Sequence, residues 1–356
     1  MRGLRVLLVA VLSTVAVGCP PPPSHPRATE PEDSNLPAEP PPYTPPPRPV
    51  MPVNEPPARP ADALQGGGEG PISAAPQPPV QAKVVDQMAD FAFDGGRIDF
   101  EMRQVGNQVV QIARSHYAVP IVMQWNASAF VNMEPTGPAD GVVVLPPASK
   151  ANGEGKAVEL VTFQVPNPHK AYRRELAFHA RFGDPNARPA PYAYALPFAK
   201  KQSYAVLQGF HGTFSHRGSN EFAIDFDCPV ATTVLAARDG VVVATNASAI
   251  GSGTTPEFLD FHRVNFVLVL HDDGTLGEYM HLSPSGVIVA PGQHVARGEP
   301  LALSGNTGFS STPHLHFQVM TAATDGVAAR SFPFDLATGP HRSESPVQGR
   351  TYFAWE

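Results

Sequence analysis

The chain has 356 residues, with 42 prolines, 2 cysteines and a formal net charge of -7. That length allows about two folded domains once low-complexity ends are set aside. The acidic balance, with no long Lys/Arg run, excludes an electrostatic footprint for nucleic acid, and Cys19 and Cys228 cannot build a disulfide framework.

Residues 1–19 carry Arg2 and Arg5, an apolar run from Val6 to Val17, then Gly18 and Cys19. The run is too short to span a bilayer as a helix and has the form of an export signal. Its ending, Ala16-Val17-Gly18-Cys19, is similar to a bacterial lipoprotein signal, in which the cysteine becomes the acylated first residue. The expectation is an exported protein, anchored to a membrane through a lipid on Cys19 and facing the periplasm or cell envelope. Residues 20–82 hold 22 of the prolines together with the Gly66–Gly70 run G-G-G-E-G. Such a composition cannot bury enough apolar surface to offset its ordering entropy, so this stretch reads as a disordered tether.

Ordered sequence resumes near Lys83. Ile98-Phe100-Met102, Val109-Val110-Ile112, Tyr117 to Trp125 and Val158 to Val165 show strand-like alternation or short apolar runs, with no long helical period. Residues 83–195 therefore read as a small antiparallel β-sandwich, immunoglobulin-like in form. His116, His169 and His179 are scattered within it and form no chemical constellation.

Signals become dense from Tyr204 onward, within a second domain placed at 196–356. Phe222-Ala223-Ile224-Asp225-Phe226 reads as a strand with a carboxylate set between apolar residues. A lone buried carboxylate is costly, and a cation is one of the few remedies. His216 precedes it across a loop containing Gly218, Ser219 and Asn220, which can fold back onto Asp225; His211 is the competing histidine. Val264 to Leu282 reads as a hairpin turning at Asp272-Asp273-Gly274. Gly292 and Gly298 mark tight turns in a compact β structure. Ser304 to Val319 ends in Pro313-His314-Leu315-His316-Phe317, and strand alternation turns His314 and His316 to one face while Leu315 and Phe317 point into packing. Two histidines and Asp225 are a ligand set that zinc favours, leaving a fourth position open. Phe332, Phe334, Tyr352, Phe353 and Trp355 are expected to pack on this domain.

The series G-T-F-S-H-R-G, F-A-I-D-F, A-A-R-D-G-V-V, Y-M-H-L, P-G-Q-x-V-x-x-G, L-S-G-N-T-G-F-S and P-H-L-H-F, over about residues 204–320, resembles the M23 peptidases. These are the LytM or lysostaphin-like zinc endopeptidases of bacterial cell walls. The resemblance implies an all-β protein whose sandwich is followed by a lysostaphin-like antiparallel sheet bearing a groove. It implies Zn2+ held by His216, Asp225 and His316, with His281 and His314 as catalytic histidines. The implied partner is the peptide stems of peptidoglycan and the implied reaction is hydrolysis of their cross-links. His216 and Asp225 lie nine apart, where many relatives have four, although a longer loop ending in the same strand pattern is a variant of the family. A silent wall-binding protein, or an activator of a separate amidase, is the alternative where ligands are lost; here each expected position is filled. Cys228, three residues after Asp225, reads as a small buried apolar residue, with a role as inhibitory or fourth ligand the competing view. Oligomeric state and the choice of peptide bond have no readable code.

Overall fold

Alternation of period two dominates the sequence from Lys83 onward, and the outcome among the described residues is almost entirely antiparallel β. A computed structural model describes residues 82–355. The export signal with Cys19, and all of the Pro-rich tether but its last residue, lie outside the described residues. The short helices are single 3-10 turns at Gly218–Asn220, Pro256–Leu259 and Phe261–Arg263. Among the described residues no helix is long and apolar enough to cross a membrane.

The first eight strands are β1 (Lys83–Phe93), β2 (Gly96–Val105), β3 (Gln108–Ser115), β4 (Ile121–Val131), β5 (Glu134–Pro135), β6 (Asp140–Leu145), β7 (Val158–Gln164) and β8 (Arg173–Phe182). They form a five-stranded sheet, β1-β2-β3-β7-β5, and a three-stranded sheet, β6-β4-β8. Every second residue of β2 (Ile98, Phe100, Met102) and of β4 (Ile121, Met123, Trp125) enters the core between them. Across the sheets the Phe100 and Phe178 rings lie 4.9 Å apart. The third strand stays beside the second here, whereas the immunoglobulin order sends it to the facing sheet.

A nine-stranded sheet follows. Its strands are β9 (Ser203–Gln208), β10 (Ile224–Phe226), β11 (Gly240–Asn246), β12 (Phe266–Leu270), β13 (Leu276–Met280), β14 (His294–Val295), β15 (Leu315–Ala322), β16 (Ala329–Phe332) and β17 (Thr351–Phe353). The order is β14-β11-β12-β13-β15-β10-β9-β17; β10 pairs with the first half of β15 and β16 with the second. The β12–β13 hairpin forms around Asp272-Asp273-Gly274, where Gly274 takes φ +81. Asp273 accepts from the Thr275 N–H at 3.0 Å and pairs with Arg238 at 2.7 Å. Phe334 and Tyr352 pack into the core beneath the sheet, while Phe353, 52% exposed, faces out from the edge strand β17.

The two faces of this sheet do different work. Val267, Val269, Tyr279, Phe317 and Val319 point into a core closed by Phe198, Leu301 and Leu336. The opposite face sends Phe266, Leu268, Leu276 and Met320 into the core of the sandwich, which is continuous with it. Phe93 at the end of β1 makes the junction: its ring lies 5.6 Å from Phe261 and 5.2 Å from Phe266, and stacks on His262 at 4.5 Å. By alternation, His316 of β15 emerges on the same face as Met320. The sandwich and the histidine cluster therefore share one face of the sheet.

Candidate metal centre

The site starts from strand register. Ile224 and Phe226 bury their side chains in the core beneath the sheet, so Asp225 between them must point to the other face. On the neighbouring strand Leu315 and Phe317 are buried in the same core, and His316 is forced to the face of Asp225. The two residues sit directly opposite each other, a position in which Cβ atoms come within about 5 Å. His316 Nδ1 lies 2.9 Å from Asp225 Oδ1.

His216 reaches the same oxygen from the loop between β9 and β10. Gly218, at φ +59, opens the 3-10 turn that brings the loop back to β10. The His216 Nδ1 faces the Gly209 carbonyl at 2.9 Å. A carbonyl only accepts, so Nδ1 carries the hydrogen and Nε2 is left with its lone pair. That Nε2 is buried without a hydrogen-bond partner, 3.1 Å from Asp225 Oδ1. Two electron-rich atoms held this close call for a cation beside them. Ligand atoms of His216, Asp225 and His316 all lie within 4.8 Å of one another. Buried, electron-rich and of the His/Asp type, the group fits a metal site.

The electrostatics agree. Burial alone would raise the Asp225 carboxyl, but the hydrogen bond from His316 Nδ1–H and the charge on that ring hold it well below the usual carboxylate range. Burial works against a charged His316 too, yet the Asp225 hydrogen bond and charge push its pKa up.

Two more histidines stand beside this group. The His281 ring centroid is 4.5 Å from that of His314 and 5.9 Å from that of His316. His281 donates Nδ1–H to the Thr307 carbonyl at 2.7 Å, and His314 donates Nδ1–H to the Thr312 carbonyl at 2.8 Å. Each is left with a bare Nε2; that of His314 lies 3.7 Å from Asp225 Oδ1. Burial drives the His281 pKa down to about 3 and lowers that of His314, so both rings are neutral near pH 7.

Not every residue singled out above arrives here. His211 points away and faces Glu221 at 3.3 Å. Cys228 is a buried free thiol outside the ligand group, and burial pushes its pKa up to about 11. His116 bridges Asp99 at 2.8 Å and the Gly153 carbonyl at 2.9 Å inside the sandwich. Conversely, two polar neighbours carried no sequence signal. Glu278 of β13 lies opposite Gln318 of β15 and accepts a hydrogen bond from it. Gln208, the last residue of β9, donates to Asp225 Oδ2 at 3.0 Å.

Residues 219–328 match the model of Peptidase family M23, and the chain carries a peptidase M23 domain there. The matched span contains Asp225, His281, His314 and His316 and begins just after His216. Among curated relatives, the peptidoglycan DD-endopeptidase ShyA of Vibrio cholerae is 35% identical over 96 residues, 27% of this chain and 19% of the relative. The glycyl-glycine endopeptidase ALE-1 of Staphylococcus capitis is 35% identical over 124 residues, 34% of this chain and 31% of the relative. The chain thus spans less than a third of the length of these relatives. The solved catalytic domain of lysostaphin from Staphylococcus simulans is 26% identical, covering 37% of this chain and 88% of that one, with a TM-score of 0.26.

Proposed function

We propose that this protein is an exported zinc endopeptidase that hydrolyses peptide cross-links of bacterial peptidoglycan. The observation that carries the reading is the convergence of His216, Asp225 and His316 beside two neutral histidines with bare Nε2 atoms. The activities of the relatives, a peptidoglycan DD-endopeptidase and a glycyl-glycine endopeptidase, supply the substrate class. His216, Asp225 and His316 would hold the ion, and zinc bound there would supply Lewis acidity toward a scissile carbonyl and lower the pKa of water to about 7.

The chain's own part is proton handling. His314 takes the general-base role: its Nδ1 is tied to Thr312, so Nε2 is free to accept a proton, and its lowered pKa keeps it unprotonated at neutral pH. His281, fixed through Thr307, has the complementary role of stabilising the oxyanion or protonating the leaving amine once its Nε2 holds a proton. In the same reading residues 1–19 are a lipoprotein signal acylated at Cys19, residues 20–82 a tether, 83–195 an accessory domain and 196–356 the peptidase domain.

The test is digestion of purified peptidoglycan with and without a zinc chelator, the products read by mass. New free peptide ends that vanish on chelation and return with zinc are the expected result. Intact peptidoglycan after treatment with zinc-loaded protein would refute the enzyme reading and favour a silent wall-binding or amidase-activating protein.

A further inference from the structure

Gln208 occupies a position that regular strand geometry would not provide. Val206 pairs with Phe226, and in an unbroken ladder Leu207 would then meet Asp225. Instead Gln208 meets Asp225, because one extra residue is inserted between the two pairs. Leu207, the extra residue, is turned outward and 40% exposed. Val206 stays in the core with Phe226, so the bulge re-aims the next pairing residue to the opposite, polar face of the sheet. A long amide is thereby laid against the carboxylate of the candidate metal ligand.

The amide is then saturated. Its Oε1 accepts the backbone N–H of Phe214 at 2.9 Å and of Ser215 at 3.1 Å. Both partners are donors, so their side of the amide must be the oxygen and the other side the nitrogen. Its Nε2 donates to Ser215 Oγ at 2.8 Å and to Asp225 Oδ2 at 3.0 Å. The loop passes close enough that a Cβ on Gly212 would collide with Gln208 Cγ. One side chain thus grips both the loop residue preceding His216 and the Asp225 oxygen that faces away from the histidines.

We infer that Gln208 is a positioning residue of the metal centre: it orients Asp225 and locks the His216 loop in register with it. The inference rests on the metal-centre reading above. Partners one shell out from a metal fix ligand orientation, and losing one typically costs 10–100-fold in metal affinity. Gln208→Ala removes both grips. Gln208→Glu keeps acceptors for the Phe214 and Ser215 N–H groups and about the same volume, but cannot donate to Asp225.

The experiment measures zinc affinity of the whole chain by competition with a chromophoric chelator, and the visible spectrum of the cobalt(II)-loaded protein, with folding followed by circular dichroism. Both variants are expected to bind zinc about 10–100-fold more weakly and to show an altered cobalt spectrum. A residue that only braces the fold would lower thermal stability without moving either readout. A folded variant with zinc affinity within about two-fold of wild type and an unchanged cobalt spectrum overturns the inference. If Gln208→Ala does not fold, Gln208→Glu decides by the same criterion. Wild-type protein that binds no zinc would instead refute the metal centre itself, so the two failures are distinguishable.

Discussion

Deleting the sandwich, by starting the chain at Pro189, is predicted to leave a peptidase region that cannot hold itself together. Phe266, Leu268 and Leu276 are fully buried and Met320 nearly so, all within the core shared with the sandwich. Exposing each large apolar side chain costs about 1.5–3 kcal/mol, so these four together lose on the order of 6–12 kcal/mol. That matches the whole stability of a typical domain, about 5–15 kcal/mol. For a region of this size each kcal/mol moves the midpoint by about 2–4 °C. Thermal melting by circular dichroism, with gel filtration of the same samples, should therefore show aggregation or a midpoint at least about 12 °C lower. A monomer melting within about 5 °C of the whole chain would show that the shared core contributes little and refute the reasoning.

Two further outcomes follow from the buried histidines. His314→Ala should retain zinc while losing about 10²–10⁴-fold in turnover, whereas His316→Ala should lose zinc and hydrolysis together; metal content measured beside peptidoglycan digestion separates them. His271 is buried, donates Nδ1–H to the Asp239 carbonyl at 2.9 Å, and has its pKa pressed down to about 4 chiefly by that burial. Its folded pKa is below the unfolded value, so the unfolded chain binds the proton first. The stability it protects is complete above about pH 6.5 and is lost as pH falls toward 4. Urea unfolding of metal-stripped protein at about pH 7.5 and about pH 5 should differ by roughly 2 kcal/mol more in wild type than in His271→Gln. Equal differences in the two proteins would contradict the burial argument.

Local alternation made the polar face of the site readable. Leu315 and Phe317 must go inward, so His316 goes out; Ile224 and Phe226 do the same for Asp225. Period-two patterning is a property of a single strand and needs no partner to be read. The loop histidines were harder, because a loop has no period. His216 and His211 have similar surroundings in sequence, and only the folded loop turns one to Asp225 and the other to Glu221.

What the sequence determined by itself was the all-β class, the hairpin at Asp272-Asp273-Gly274, and which residues of each strand turn away from the core, since these depend on short-range sterics and alternation. Tertiary structure alone decided register and neighbours. The extra residue at Leu207 that delivers Gln208 to Asp225 leaves no mark in composition. The sharing of one core by Phe93, Phe182, Phe266 and Met320 could not be read either. Both are long-range pairings, selected by the packing of a whole face against another, and a strand's own pattern says which side is apolar but not what will cover it.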